Sequence, residues 1–155
     1  MATHPPLAVA REGQAWLLSC APDPAAAQRA WDAGQLAAIP AGPHWRVAEA
    51  SLPRSLEAVR RMGAAPHGPV LADTRRALAW WLLPPGLADE LDDVAGLTVH
   101  PAGWKLECPP VSHFLGDRWW VDAPDGTGQL TDPTLLAASF GPGGYRPESE
   151  AEARA

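Results

Sequence analysis

Residues 97–123, LTVHPAGWKLECPPVSHFLGDRWWVDA, carry the stretch on which the reading of this chain turns. Trp104, Lys105, Leu106 and Glu107 alternate as a half-buried strand does. Pro109 and Pro110 stop that strand, because proline offers no ladder N–H. Gly116 and Asp117 make a turn. Residues 118–121, RWWV, then resume an extended run rich in β-formers. The expectation is a late β-hairpin.

Upstream, the pattern alternates between short apolar runs and capped helices. Residues 14–20, QAWLLSC, are short and apolar and read as a buried strand, behind a loosely held arm at 1–13. Asp23 followed by Pro24 is a cap with a first-turn proline. It predicts a helix over 24–33 with Trp31 facing the core and Gly34 as its stop. Residues 36–39 and 45–50 read as strands. Ser51 opens a helix with Pro53 in its first turn, and Leu52, Leu56 and Val59 form its expected buried stripe. Residues 69–72 read as a strand, 73–76 as a polar turn, and 77–83 as a strand buried on both faces. A short acidic helix follows at 87–94. Asp132 with Pro133 announces a last helix, carrying Leu136 and Phe140. Residues 142–155 read as a flexible acidic tail. Together these predict one α/β or α+β domain over 14–141, with a mixed central sheet flanked by helices.

Composition narrows the function classes. The chain has 155 residues, 46% hydrophobic and 19% charged, which suits a single folded domain. Eight tryptophans stand against one Tyr and two Phe, and Lys105 is the sole lysine in an Ala-, Pro- and Arg-rich chain of GC-rich character. The net charge of −6 opposes non-specific nucleic-acid binding, which runs on phosphate neutralisation. No run approaches the roughly 20 apolar residues of a membrane span. The start of the chain lacks the form of a signal peptide. Cys20 and Cys108 are too few for a disulfide framework or a zinc ribbon. The expected setting is cytoplasmic, with no membrane partner.

The Pro-Pro-Val-Ser-His run at 109–113, the following Gly116 and the aromatic strand resemble the N-terminal Prim-Pol domain of bifunctional DNA primase/polymerases, in the archaeo-eukaryotic primase group, and the 125–133 segment is closer to small actinobacterial relatives. The resemblance extends over about Asp23 to Val121. The cap and helix carrying Trp31 match in order, and residues 38–42, AIPAG, resemble a turn that normally reads Gly-Ile-Ala-Thr-Gly. The resemblance implies a mixed α/β fold and a nucleotidyl-transfer site. Such a site needs two divalent metals roughly 3.5–4 Å apart, clamped by carboxylates. Residues 47–51, VAEAS, stand where the family carries an Asp-x-Asp pair, and only Glu49 is acidic there. The family's nucleotide-contacting histidine falls near Leu78 and its last carboxylate near Thr98. Asp73, Thr74, Arg75 and Arg76 replace the glycines that approach phosphate. One carboxylate cannot hold two metals. The resemblance therefore implies the fold, and the residues argue against primase or polymerase activity.

Other constellations are weaker. Asp122, Asp125 and Asp132 around a Gly-rich turn read as a turn and a helix cap rather than a calcium loop. His100 and His113 flank Cys108 and lack further ligands at metal spacing. Arg60 and Arg61 with Arg75 and Arg76 are a possible basic patch. Each of the pairs Trp80–Trp81 and Trp119–Trp120 is expected to place one ring in the core and one outside, where it can stack on bases. The leading expectation is a catalytically inactive Prim-Pol-like domain that needs no cofactor and meets a protein partner through an exposed tryptophan of 118–121. The second is a residual nucleotide or single-stranded DNA binder using Arg75, Arg76 and Trp80, Trp119 or Trp120. The third is an active nucleotidyltransferase using Glu49, Asp73 or Asp122 in a rearranged site.

Overall fold

Helix ends follow the residues that cap them. Asp23 accepts a hydrogen bond from the Ala26 N–H at 3.1 Å, and Ser51 accepts one from the Arg54 N–H at 3.2 Å. The computed structural model describes residues 7–140. In chain order these form α1 (Leu7–Ser19), α2 (Pro24–Asp32), β1 (Ala37–Pro40), β2 (Arg46–Ser51), α3 (Leu52–Met62), β3 (Val70–Asp73) and β4 (Leu78–Leu83). A 3-10 helix (Pro85–Leu91), β5 (Thr98–His100), β6 (Lys105–Cys108), β7 (Arg118–Asp122) and α4 (Pro133–Phe140) complete the order. The expected acidic tail at 142–155 lies outside the described residues.

Five strands form one sheet in the order β5-β2-β4-β3-β7, and β1 pairs with β6 in a second, two-stranded sheet. β4 lies at the centre of the larger sheet, with a core cluster on each side. Val47, Leu71, Trp80, Leu82 and Trp120 pack in one layer with α1, α2 and the β1–β6 sheet. Ala48, Ala50, Val70, Ala72, Ala79, Trp81 and Leu83 pack in the other with α3, α4 and the 3-10 helix. A strand covered on both faces has no polar side to show, which is why LAWWLL is unbroken. The fold is a single-domain α+β arrangement with two antiparallel sheets.

Several expectations change at the level of pairing. Every ladder is antiparallel, so the sheet is not mixed. The late hairpin does not form: β6 pairs with β1, and β7 pairs with β3. The Pro-Pro segment sends the chain from one sheet to the other, and tryptophans hold the crossing. Trp31 Nε1 donates to the Cys108 carbonyl at 2.9 Å, and Trp120 Nε1 donates to the Pro109 carbonyl at 3.3 Å. Residues 7–13 are helical rather than an arm, and 14–19 continue that helix rather than forming a strand. Ala10, Gly13 and Leu17 are its buried face, at helical spacing. The stripe of α3 is rotated: Leu52, Ser55, Ala58 and Met62 are buried, with Leu56 and Val59 at its margin. Ser55 can sit inside because its hydroxyl accepts the Trp81 indole N–H at 3.0 Å.

Candidate functional site

The positions singled out by the family resemblance meet on one face of the five-stranded sheet, at one end. Glu49 of β2 lies opposite Thr98 of β5 and opposite Trp80 of β4. Leu78, two residues before Trp80, lies opposite Ser51 and Asp73, and Asp73 lies opposite Arg118. Alternation along each strand therefore gathers Glu49, Leu78, Asp73, Thr98 and Arg118 around the Trp80 indole.

Each acid in this group is already held. Glu49 Oε1 accepts from Trp80 Nε1 at 3.0 Å and from His100 Nε2 at 2.9 Å. A carboxylate only accepts, so the His100 proton sits on Nε2. Burial works against the Glu49 charge. The His100 and Trp80 hydrogen bonds, with the charges of His100 and Arg76, outweigh it and hold the carboxyl below its ordinary range. His100 is itself clamped: its ring stacks on Trp104 at 3.9 Å and 3° between planes, and its carbonyl accepts from the Arg46 guanidinium.

Asp73 is buried and receives Arg118 Nε at 2.8 Å and the Arg76 backbone N–H at 2.9 Å. Burial again opposes the charge, and the Arg118 and Arg76 bonds outweigh it, so this carboxyl is also lowered. Arg118 spans the two sheets. Its second arm donates to the Glu107 carbonyl at 2.7 Å, and its guanidinium lies 4.4 Å from the Trp80 ring centre. The constellation thus reads as Arg118 and Trp80 tying together two carboxylates and two sheets.

The third acid of the rearranged-site expectation is elsewhere. Asp122 follows a bulge in β7 and bonds His67 at 2.6 Å, beside Trp81 on the opposite layer. Glu49, Asp73 and Asp122 share no cluster, and among the described residues no group of three or more His, Cys, Asp or Glu side chains is placed to hold a metal ion. His100 and His113 are not brought together by a hairpin: His100 bonds Glu49, and His113 bonds the Ser112 hydroxyl.

The basic and aromatic expectations divide in the same way. Arg75 and Arg76 are exposed on the turn between β3 and β4, with the Arg76 guanidinium 5.8 Å from the Trp80 ring. Arg60 and Arg61 do not join them. Both pair with Glu57, and Arg61 also donates to the Ser139 carbonyl. Trp80 and Trp81 are 1% and 0% exposed, so neither ring stands outside; helices and a second sheet cover both faces there. Trp120 is buried at 7%, and Trp119 is half-buried, donating to the Thr74 hydroxyl at 2.8 Å. Trp119 is the one of the four that can offer part of a ring. Missed by sequence reasoning were the His67–Asp122 pair and the clamp of Glu49 by His100 and Trp104. Their partners are 55 and 51 residues apart, so no local spacing could announce them.

No family model, curated protein or solved structure matches this chain. No helix among the described residues is long and apolar enough to cross a membrane.

Proposed function

We propose that this chain is a Prim-Pol-like domain that no longer polymerises and works as a binding or regulatory module beside a protein partner in the cytoplasm. Glu49 carries the reading. It stands where the resemblance puts a metal-binding pair, and its carboxylate is spent on Trp80 and His100. Thr98 and Leu78, at the other two degenerate positions, offer no carboxylate or imidazole beside it. An acid held this way stabilises the sheet end instead of collecting phosphate-bound cations. The partner surface in this reading is β7, an edge strand carrying half-buried Trp119.

Primer extension with the full chain, nucleoside triphosphates and Mg²⁺ or Mn²⁺ tests it. The expected result is no incorporation. Incorporation that disappears in Glu49→Gln would sink the proposal and establish the rearranged enzyme.

One observation favours a second reading. Arg75 and Arg76 project from the exposed β3–β4 turn next to Trp119, whose indole bonds Thr74 in that turn. A single-stranded DNA or nucleotide binder would use those groups. Tryptophan fluorescence titrated with single-stranded DNA and nucleoside triphosphates at low and physiological salt separates the two. Saturable, salt-sensitive quenching lost in the Arg75→Ala, Arg76→Ala double variant selects the binder. A flat response at low salt removes it.

A further inference from the structure

The chain leaves the described structure close to the β3–β4 turn. Phe140 closes α4, and its carbonyl accepts from Arg54 Nη2 at 3.2 Å. Arg54 lies in the first turn of α3, which Ser51 caps. The Leu52 N–H donates to the Ala77 carbonyl at 2.8 Å, so the start of α3 abuts the β3–β4 turn. That turn, residues 74–77, is exposed and carries Arg75 and Arg76.

These two arginines are the cations left unspent at this end of the sheet. Arg75 has no side-chain partner among the described residues. The Arg76 guanidinium forms no salt bridge among them and lies 5.8 Å from the Trp80 ring centre. The arginines around α4 are occupied: Arg54 and Arg61 donate to the Phe140 and Ser139 carbonyls, and Arg60 pairs with Glu57. Arg11, Arg29 and Lys105 are exposed on α1, α2 and β6, in the layer across the sheet from α4. In the turn before β7, Asp117 sets one exposed carboxylate against the two arginines, and its carbonyl accepts the Thr74 N–H at 3.0 Å. The surface is thus net cationic on a chain whose net charge is −6.

Residues 148–152, ESEAE, supply the complementary charge. Glu148, Glu150 and Glu152 alternate, so an extended backbone turns all three carboxylates to one side. The chain from Phe140 to Glu148 spans up to about 26 Å when extended. Only the Arg54 side chain and the first turn of α3 lie between the end of α4 and the β3–β4 turn. Exposed ion pairs are weak one by one, at about 0.2–1 kcal/mol. A short tether offsets that by keeping the segment at a local concentration in about the millimolar range.

We infer that residues 148–152 dock on the β3–β4 turn of their own chain, pairing their carboxylates with the Arg75 and Arg76 guanidinium groups. The docked segment occupies the surface that a polyanion would use, so nucleic acid or a nucleotide has to displace it. The contact does not rest on the Prim-Pol reading, since charge and placement alone carry it.

A nitroxide on Ala153→Cys in the full chain tests it by NMR. Cys20 and Cys108 are buried and do not take the label. Reporters are the Thr74, Arg75 and Arg76 amides and the Trp119 indole, whose N–H bonds Thr74. At low salt their signals are expected to weaken about twofold or more relative to the reduced label, and to recover at about 1 M salt, where charges are screened beyond about 3 Å. Joint substitution Glu148→Gln, Glu150→Gln and Glu152→Gln is expected to restore them at low salt. The Arg75→Ala, Arg76→Ala double variant is expected to restore the Thr74 and Trp119 signals in the same way. Full-strength signals at low salt without these substitutions, or weakening that survives both sets, overturn the inference. Weakening seen only between copies, when labelled chain is mixed with label-free isotope-enriched chain, also overturns it and assigns the docked segment to a second copy.

Discussion

Replacing Gly13 by alanine sets two opposing effects against each other. Gly13 lies inside α1, and helix propensity alone favours alanine over glycine by about 0.8–1 kcal/mol. The structure opposes that gain. A Cβ at this position would lie 1.9 Å from the Pro124 carbonyl oxygen and 2.6 Å from its carbon. Both distances are well inside van der Waals contact, and the obstacle is backbone, which cannot swing aside as a side chain does. α1 and the loop after β7 must part by about an ångström or more, and such overpacking costs about 1–3 kcal/mol, occasionally more. With backbone on both sides the cost belongs at the upper end, so the net effect is destabilisation by about 1–2 kcal/mol, after the propensity gain is subtracted. For a chain of this size that lowers Tm by about 2–8 °C. Urea unfolding followed by tryptophan fluorescence measures it. Ala15→Gly, at an exposed position of the same helix, is the reference for propensity alone and loses about 1 kcal/mol. If Gly13→Ala raises stability by about 1 kcal/mol, the close approach of α1 to the Pro124 backbone is wrong.

Three further outcomes follow from the same contacts. Arg118→Met leaves Asp73 buried without its ion-pair partner and costs about 3–5 kcal/mol, and adding Asp73→Leu recovers much of that; urea unfolding of the three variants checks it. Trp31→Phe keeps the ring packing but removes the indole bond to the Cys108 carbonyl, costing about 0.5–1.5 kcal/mol in the same assay. His67 gives a pH signature. Its hydrogen bond to Asp122, with the Asp122 charge and the Ala65 carbonyl, raises its pKa against the opposing effect of burial. The folded state therefore holds the proton more tightly, and the stabilisation is complete below the unfolded value of about 6.5 and is lost as pH rises through the folded value. The stability difference between wild type and His67→Gln is expected to be level up to about pH 6.5 and to shrink above it. A difference that grows with pH would refute the tighter hold of the folded state on the His67 proton.

Local signals in this sequence were strong wherever a residue's role depends on its near neighbours. Asp23 with Pro24, and Ser51 with Pro53, cap helices through side chains that reach only three residues along the chain. The unbroken run at 78–83 declared a strand covered on both faces, because a side chain's surroundings select its polarity at every position. Glu49, Leu78 and Thr98 could be picked out as positions, and strand alternation does bring them to one sheet face.

Tertiary structure alone decided what those positions touch. Two strands separated by a turn look like a hairpin in one dimension, yet β6 and β7 belong to different sheets. The Cys108 and Pro109 carbonyls are taken by tryptophans from α2 and β7 instead. Gly13 reads as a break when only propensity is weighed, and becomes a helix interior when another segment presses against it. His67 and Asp122 carry no mutual signal across 55 residues. The sequence by itself determined the capped helices α2 and α3 and the buried central strand, since those follow from neighbours within a turn or two, whereas α1 was not legible in it. Which strands pair and which acids are held depend on contacts between distant segments, and those exist only once the chain has packed.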